Sequence, residues 1–248
     1  MNKYTVILAL SLAFVACQKT GPCAEGGGIY VFPKFPKNST MTSAEVDQFY
    51  DLPKDISQCI STEALVETCL TYPQLSLIDA GSNPQTGYWL VSSKFRGLRE
   101  LSNREDRGIH LLRKYQTTDP LGYNPNGDLL SIGRYVLRFS YLEVILSQEK
   151  TLESLSWDQK IKLIERARTV YEKKEADTTH QDLYSLAKTS AIMARLMRLD
   201  GYQPFVNIYR QTDWNWNFVS WYWSTDYATA RSVYTLSTNY LNFLKQQR

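Results

Sequence analysis

Side chains able to do covalent or proton chemistry are few and scattered in this sequence. His110 and His180 stand far apart, and Cys17, Cys23, Cys59 and Cys69 share no ligand spacing with them. That excludes the closely spaced Cys and His of a zinc site, so no metal or cofactor is predicted. No glycine-rich phosphate loop, His-Glu-x-x-His or Gly-x-Ser-x-Gly occurs. Carboxylates are what is left for catalysis. Asp213 and Asp226 flank an aromatic run and would suit glycoside hydrolysis if their carboxyls stood about 5–10 Å apart. Each also follows a threonine directly ahead of a helical stretch, where an aspartate caps the exposed amides. No catalytic residue is assigned, and the expected protein is not an enzyme.

The run between those aspartates, Trp214 to Trp223, holds four of the six tryptophans. Flat rings beside Asn215 and Asn217 could stack on a sugar or an extended peptide, which makes Trp214, Trp216, Trp221, Tyr222 and Trp223 the ligand-binding candidates. At helical spacing Trp214, Phe218 and Trp221 share one face and Trp216 and Trp223 a second, so a buried helix fits the same residues. An alternating strand is a third reading.

The N-terminus supplies a different kind of chemistry. Lys3 precedes an apolar run from Tyr4 to Val15 that is shorter than the roughly 20 residues a membrane span needs, the pattern of a secretory signal. The run ends in Phe14-Val15-Ala16-Cys17, which resembles the lipobox of bacterial lipoproteins, with Phe14 where that family usually carries Leu. The resemblance implies cleavage before Cys17, a diacylglycerol thioether on Cys17 as the lipid anchor, and membrane attachment through the N-terminal lipid. Gln18, rather than Asp, after the cysteine implies the outer membrane. Cys17-Gln18-Lys19 also resembles the start of a surface-export signal of Bacteroidetes lipoproteins, with Thr20-Gly21 in place of its acidic pair. The block Cys59 to Tyr115, with Glu63 to Leu70 and Phe95 to Leu101, is similar to segments of uncharacterised helical envelope proteins of Bacteroidetes.

The elements behind these residues read as helices throughout. Residues 1–16 are the expected signal peptide, 17–40 a lipidated flexible tether rich in Gly and Pro, and 41–248 one helical domain. Ile29 to Phe32 could form a short strand inside the tether. Thr42 with Glu45 is a capping box, and Ser156 with Gln159 another. Leu65, Cys69 and Tyr72 mark a helix over 62–72; Val91, Phe95, Leu98 and Leu101 mark one continuous helix; Ile109, Leu112 and Tyr115 mark the next. Past the Pro- and Gly-rich loop 117–128, apolar faces recur through Ile132 to Leu146, Ile161 to Tyr171, Leu183 to Met197 and Val233 to Leu244. Thr178 with Gln181 would cap the third of these, unless Asp177-Thr178-Thr179 is the O-glycosylation acceptor that it resembles. The fold class expected is all-α, about eight helices in a bundle or in stacked antiparallel pairs.

Lipidation of Cys17 leaves an odd number of cysteines. Ten residues of continuous helix would hold Cys59 and Cys69 about 15 Å apart, so they can bond only if the helix breaks near Ile60-Ser61. Otherwise both are small buried hydrophobes. The composition is 43% hydrophobic and 21% charged with net charge +3, which is globular and excludes a nucleic-acid partner. Lys94, Arg96, Arg99, Arg104, Arg107, Arg113 and Lys114 read as a solvated helix face or a rest for anionic headgroups. Two function classes follow: an anchored envelope protein that docks a protein partner, and a glycan- or peptide-binding lipoprotein that uses the tryptophan run.

Overall fold

The computed structural model describes residues 28–211 and 227–247. The lipobox, Cys17, Cys23 and the tryptophan run with Asp213 and Asp226 lie outside them. Among the described residues the chain forms twelve α-helices, one 3-10 turn and no strand. In order they are α1 (Ser43–Tyr50), α2 (Lys54–Cys59), α3 (Thr62–Leu70), the 3-10 turn Leu75–Ile78, α4 (Pro84–Lys94), α5 (Arg96–Asn103), α6 (Arg107–Thr117), α7 (Leu129–Leu146), α8 (Glu149–Glu153), α9 (Trp157–Ala176), α10 (Leu183–Leu199), α11 (Gln203–Gln211) and α12 (Tyr227–Gln246). The all-α class holds. The predicted count of about eight is too low because α2 and α8 are too short to show a 3.6-residue period, one predicted helix is split into α4 and α5, and α11 was not predicted.

Helix starts follow local chemistry. Thr42 and Glu45 form the predicted capping box of α1, and Ser156 and Gln159 that of α9. Asn83 and Thr86 build a third box ahead of Pro84, whose fixed φ suits a first helical position. Thr178 is not the cap of α10: Asp182 is, its carboxylate accepting from the Ser185 amide at 2.8 Å, because the helix begins one turn later than expected. The helix expected across Val91 to Leu101 is broken at Phe95, which is extended (φ −103, ψ 115) and separates α4 from α5. Its ring is fully buried and stacks on Tyr72 with centroids 4.0 Å apart, so apolar spacing alone did not reveal the break. In α6, Leu112 and Tyr115 are buried as predicted, but Ile109 is exposed and Leu111 takes the core position.

Helices α9, α10 and α12 pack on one another, α10 also packs on α7, and α6 bridges α7 and α9. Their shared core includes Leu163, Ile164, Ala167, Ile192, Met193 and Leu196. Each large aliphatic side chain withdrawn from water there contributes about 1.5–3 kcal/mol before entropy is counted. Polar clasps fix the order of the layers. Arg168 of α9 donates to the Tyr234 carbonyl and the Ser237 hydroxyl of α12, both at 2.9 Å, and the Trp157 indole donates to the Leu244 carbonyl at 2.7 Å.

The segment after residue 28 is neither a free tether nor a strand. Tyr30 and Phe32 rest on the core, with the Tyr30 amide donating to Thr68 Oγ1 at 3.1 Å and Phe32 edge-on to Tyr72. Cys59 and Cys69 are not joined. The helix does break at Ile60-Ser61, where Ser61 caps α3, yet Cys69 is a free, buried thiol while Cys59 is disulfide-bonded. Burial holds the Cys69 thiol well above its ordinary pKa. Among the described residues no helix is long and apolar enough to cross a membrane.

Candidate functional site

A concavity of about 690 Å³ lies between α4, α5, α8 and α10. Two tight approaches place its walls. Gly87 of α4 lies directly on the 3-10 turn, where a Cβ would come within 1.9 Å of the Ile78 carbonyl oxygen. Gly81 packs on Gly87 from the preceding loop, where a Cβ would come within 2.6 Å of the Gly87 amide nitrogen. Pressed down this way, α4 turns Gln85 and Tyr88 inward and leaves Trp89 at the rim, 52% exposed.

The cleft floor is a relay of amides and one guanidinium. Arg195, buried in α10, donates from Nη1 to the Ser147 carbonyl at 3.0 Å and from Nη2 to Gln85 Oε1 at 2.9 Å. Gln85 Nε2 donates to Gln148 Oε1 at 3.0 Å, and Gln148 Nε2 donates to the Val144 carbonyl at 2.8 Å. Along the wall Arg99 donates to the Ser92 and Ser93 carbonyls at 3.2 and 2.7 Å, closing the C-terminal turn of α4. A guanidinium has five N–H donors, so Arg99 keeps others for the cleft. Opposite stand Lys150 and Glu149, the latter ion-paired to Arg198.

Indole, amides, hydroxyls and cations line this one concavity. Among the described residues no three His, Cys, Asp or Glu side chains gather closely enough to hold a metal ion. Against known protein families, curated proteins and solved structures, the chain finds no match.

Cys17 and the candidates Trp214, Trp216, Trp221, Tyr222 and Trp223 lie outside the described residues. The basic stretch is not an open cationic face, because several of its charges are taken up internally. Lys94 pairs with Asp47 at 2.8 Å, Arg96 with Asp51 at 3.2 Å and Arg104 with Glu100 at 2.7 Å, while Lys114 pairs with Glu67. Arg107 caps backbone carbonyls at Arg104 and Lys150. Trp89 and Arg195 were missed from sequence. The available signals were a lone tryptophan in a Ser-rich helix and an arginine inside the apolar run Ala191 to Met197.

Behind the cleft a polar seam runs between α7 and α10. Glu143, fully buried, accepts from Lys174 Nζ and Thr189 Oγ1, each at 2.6 Å, and from the Tyr115 hydroxyl at 3.2 Å. One turn away, Tyr141 and Tyr184 donate to Asp79 at 2.7 and 2.6 Å. The buried Lys188 ammonium lies 3.5 Å from Asp79, beyond ordinary hydrogen-bond range, and 3.6 Å from the Tyr184 ring centroid. Burial pushes the Lys188 pKa down to about 8, against the pull of Asp79. Lys174 is lowered by burial too, opposed by Glu143.

Proposed function

We propose that this chain is a non-catalytic recognition protein of the bacterial envelope, held by lipid on Cys17, whose helical domain binds an extended peptide segment of a protein partner. The observation that supports this reading is the cleft: Trp89 offers a flat apolar contact at the rim, and Arg99 brings guanidinium donors beside it, above a floor made by the bonded Gln85–Gln148 amide pair. Backbone carbonyls of an extended peptide need such donors, and an aromatic anchor supplies most of the affinity in interfaces of this kind.

Panning random peptides on the purified chain, on its Trp89→Ala variant and on its Arg99→Glu variant tests it. Enriched peptides that bind the variants about tenfold or more weakly support the assignment, since anchor residues carry 2 kcal/mol or more. Peptides indifferent to both substitutions, or oligosaccharides binding where no peptide does, overturn it. The anchor is tested separately: metabolic labelling with a palmitate analogue is expected on the wild-type chain and absent on Cys17→Ser.

A further inference from the structure

We propose that the outer face of α7 is a docking stripe for an anionic bilayer surface, independent of both the cleft and the lipid on Cys17. Leu129 is 82% exposed, Leu130 62% and Leu137 38%, and Gly133 between them has nothing near where a Cβ would stand. At 100° per residue these four positions fall within an arc of about 100°, outside the sector of Ile132 and Phe139, which enter the core. A single exposed leucine needs no explanation, but an uninterrupted stripe of this kind does.

The stripe is held out rigidly. Asp128 caps α7 by accepting from the Ser131 amide at 2.9 Å, so the leucines sit on a formed first turn. The preceding loop is tied down by the Tyr135 hydroxyl on the Asp119 carbonyl at 2.6 Å, by Lys173 on Asp119 at 3.0 Å and by Tyr123 on Asp177. Its charge is one-sided: Arg134 and Arg138 follow along one edge, and Arg134 has no acidic partner among the described residues. Arg138 shares Glu67 with Lys114 at 3.4 Å, which leaves that trio with a net positive charge. The cap Asp128 is the one acid on the first turns, with its carboxylate turned back onto the helix end.

Apolar side chains flanked by arginines are the pattern of helices that lie in a membrane interface, where acyl chains take the leucines and anionic headgroups the cations. The arginines beside the leucines complement anionic headgroups, which commits the stripe to a bilayer surface.

The test uses the full chain as Cys17→Ser, with an environment-sensitive dye on Gly133→Cys, or on Asn239→Cys of α12 as a control. A blue shift at position 133 on phosphatidylglycerol vesicles, about tenfold weaker on phosphatidylcholine vesicles and absent at position 239, supports the proposal. Leu129→Ser with Leu130→Ser, and Arg134→Glu with Arg138→Glu, are expected to lower partitioning about tenfold or more in that assay. These side chains are exposed, so the fold is unaffected, and circular dichroism checks this. No shift on either vesicle, equal shifts at 133 and 239, or a shift that appears without vesicles as protein concentration rises each overturn it, the last in favour of a second copy.

Discussion

Lys188 couples the stability of this chain to pH. Its folded pKa lies near 8 against an ordinary 10.5, so between those values the unfolded state binds more protons than the folded one, and stability rises with pH. Lys174, lowered in the same sense, adds to the rise. Tyr141 and Tyr184 act oppositely: burial raises both above the ordinary 10, so stability falls again once unfolded tyrosines ionise. Urea denaturation is therefore expected to show stability climbing from pH 8 to about 10 by up to roughly 3 kcal/mol. Lys188→Met should flatten most of that slope, with Asp79, Asp182 and Glu143 still facing the site. Glu143→Ala should cost about 3–5 kcal/mol by stranding the Lys174 ammonium, and the added Lys174→Met should recover much of it in a double-mutant cycle. None of this was read from the sequence, where lysines and glutamates on helices pass for solvent-facing positions. The one local signal was Glu143 inside Phe139 to Leu146, a stretch apolar on every side of the helix.

Among the elements, α4 decides whether the cleft exists. Gly87→Ala places a methyl group against the Ile78 carbonyl, so α4 must lift, and a loss of about 1–3 kcal/mol is expected in thermal or chemical unfolding. Ser156→Ala should cost about 1 kcal/mol by unmaking the box that starts α9. The contrast shows what sequence patterns convey. Of the three caps predicted from Ser/Thr and Glu/Gln spacing, Thr42 with Glu45 and Ser156 with Gln159 form, while Thr178 with Gln181 does not, because Asp182 caps that helix one turn later. The elbow at Phe95 escapes because it depends on Tyr72, more than twenty residues away, accepting that ring face to face. The break at Ile60-Ser61 was legible as a condition for bridging Cys59, but the identity of the bonded cysteine was not, since pairing is set by tertiary neighbours.

At the scale of the whole molecule, Cys69 reports on global opening. A thiol buried at the α3 core and raised well above its ordinary pKa should stay unmodified by iodoacetamide in the native protein and react once urea unfolds it, which mass spectrometry reads directly. Fold class came through from sequence because apolar periodicity repeats along nearly the whole domain. The cleft did not, because its residues come from four helices whose proximity no local pattern encodes. The polar seam has a further, evolutionary consequence. Tyr115, Glu143, Lys174 and Thr189 come from four helices and converge on a single carboxylate. Losing any one of them exposes the others to selection, so lineages should keep or discard the quartet together. Its spacing is thus a fingerprint by which distant kin of this chain can be sought where overall similarity has faded.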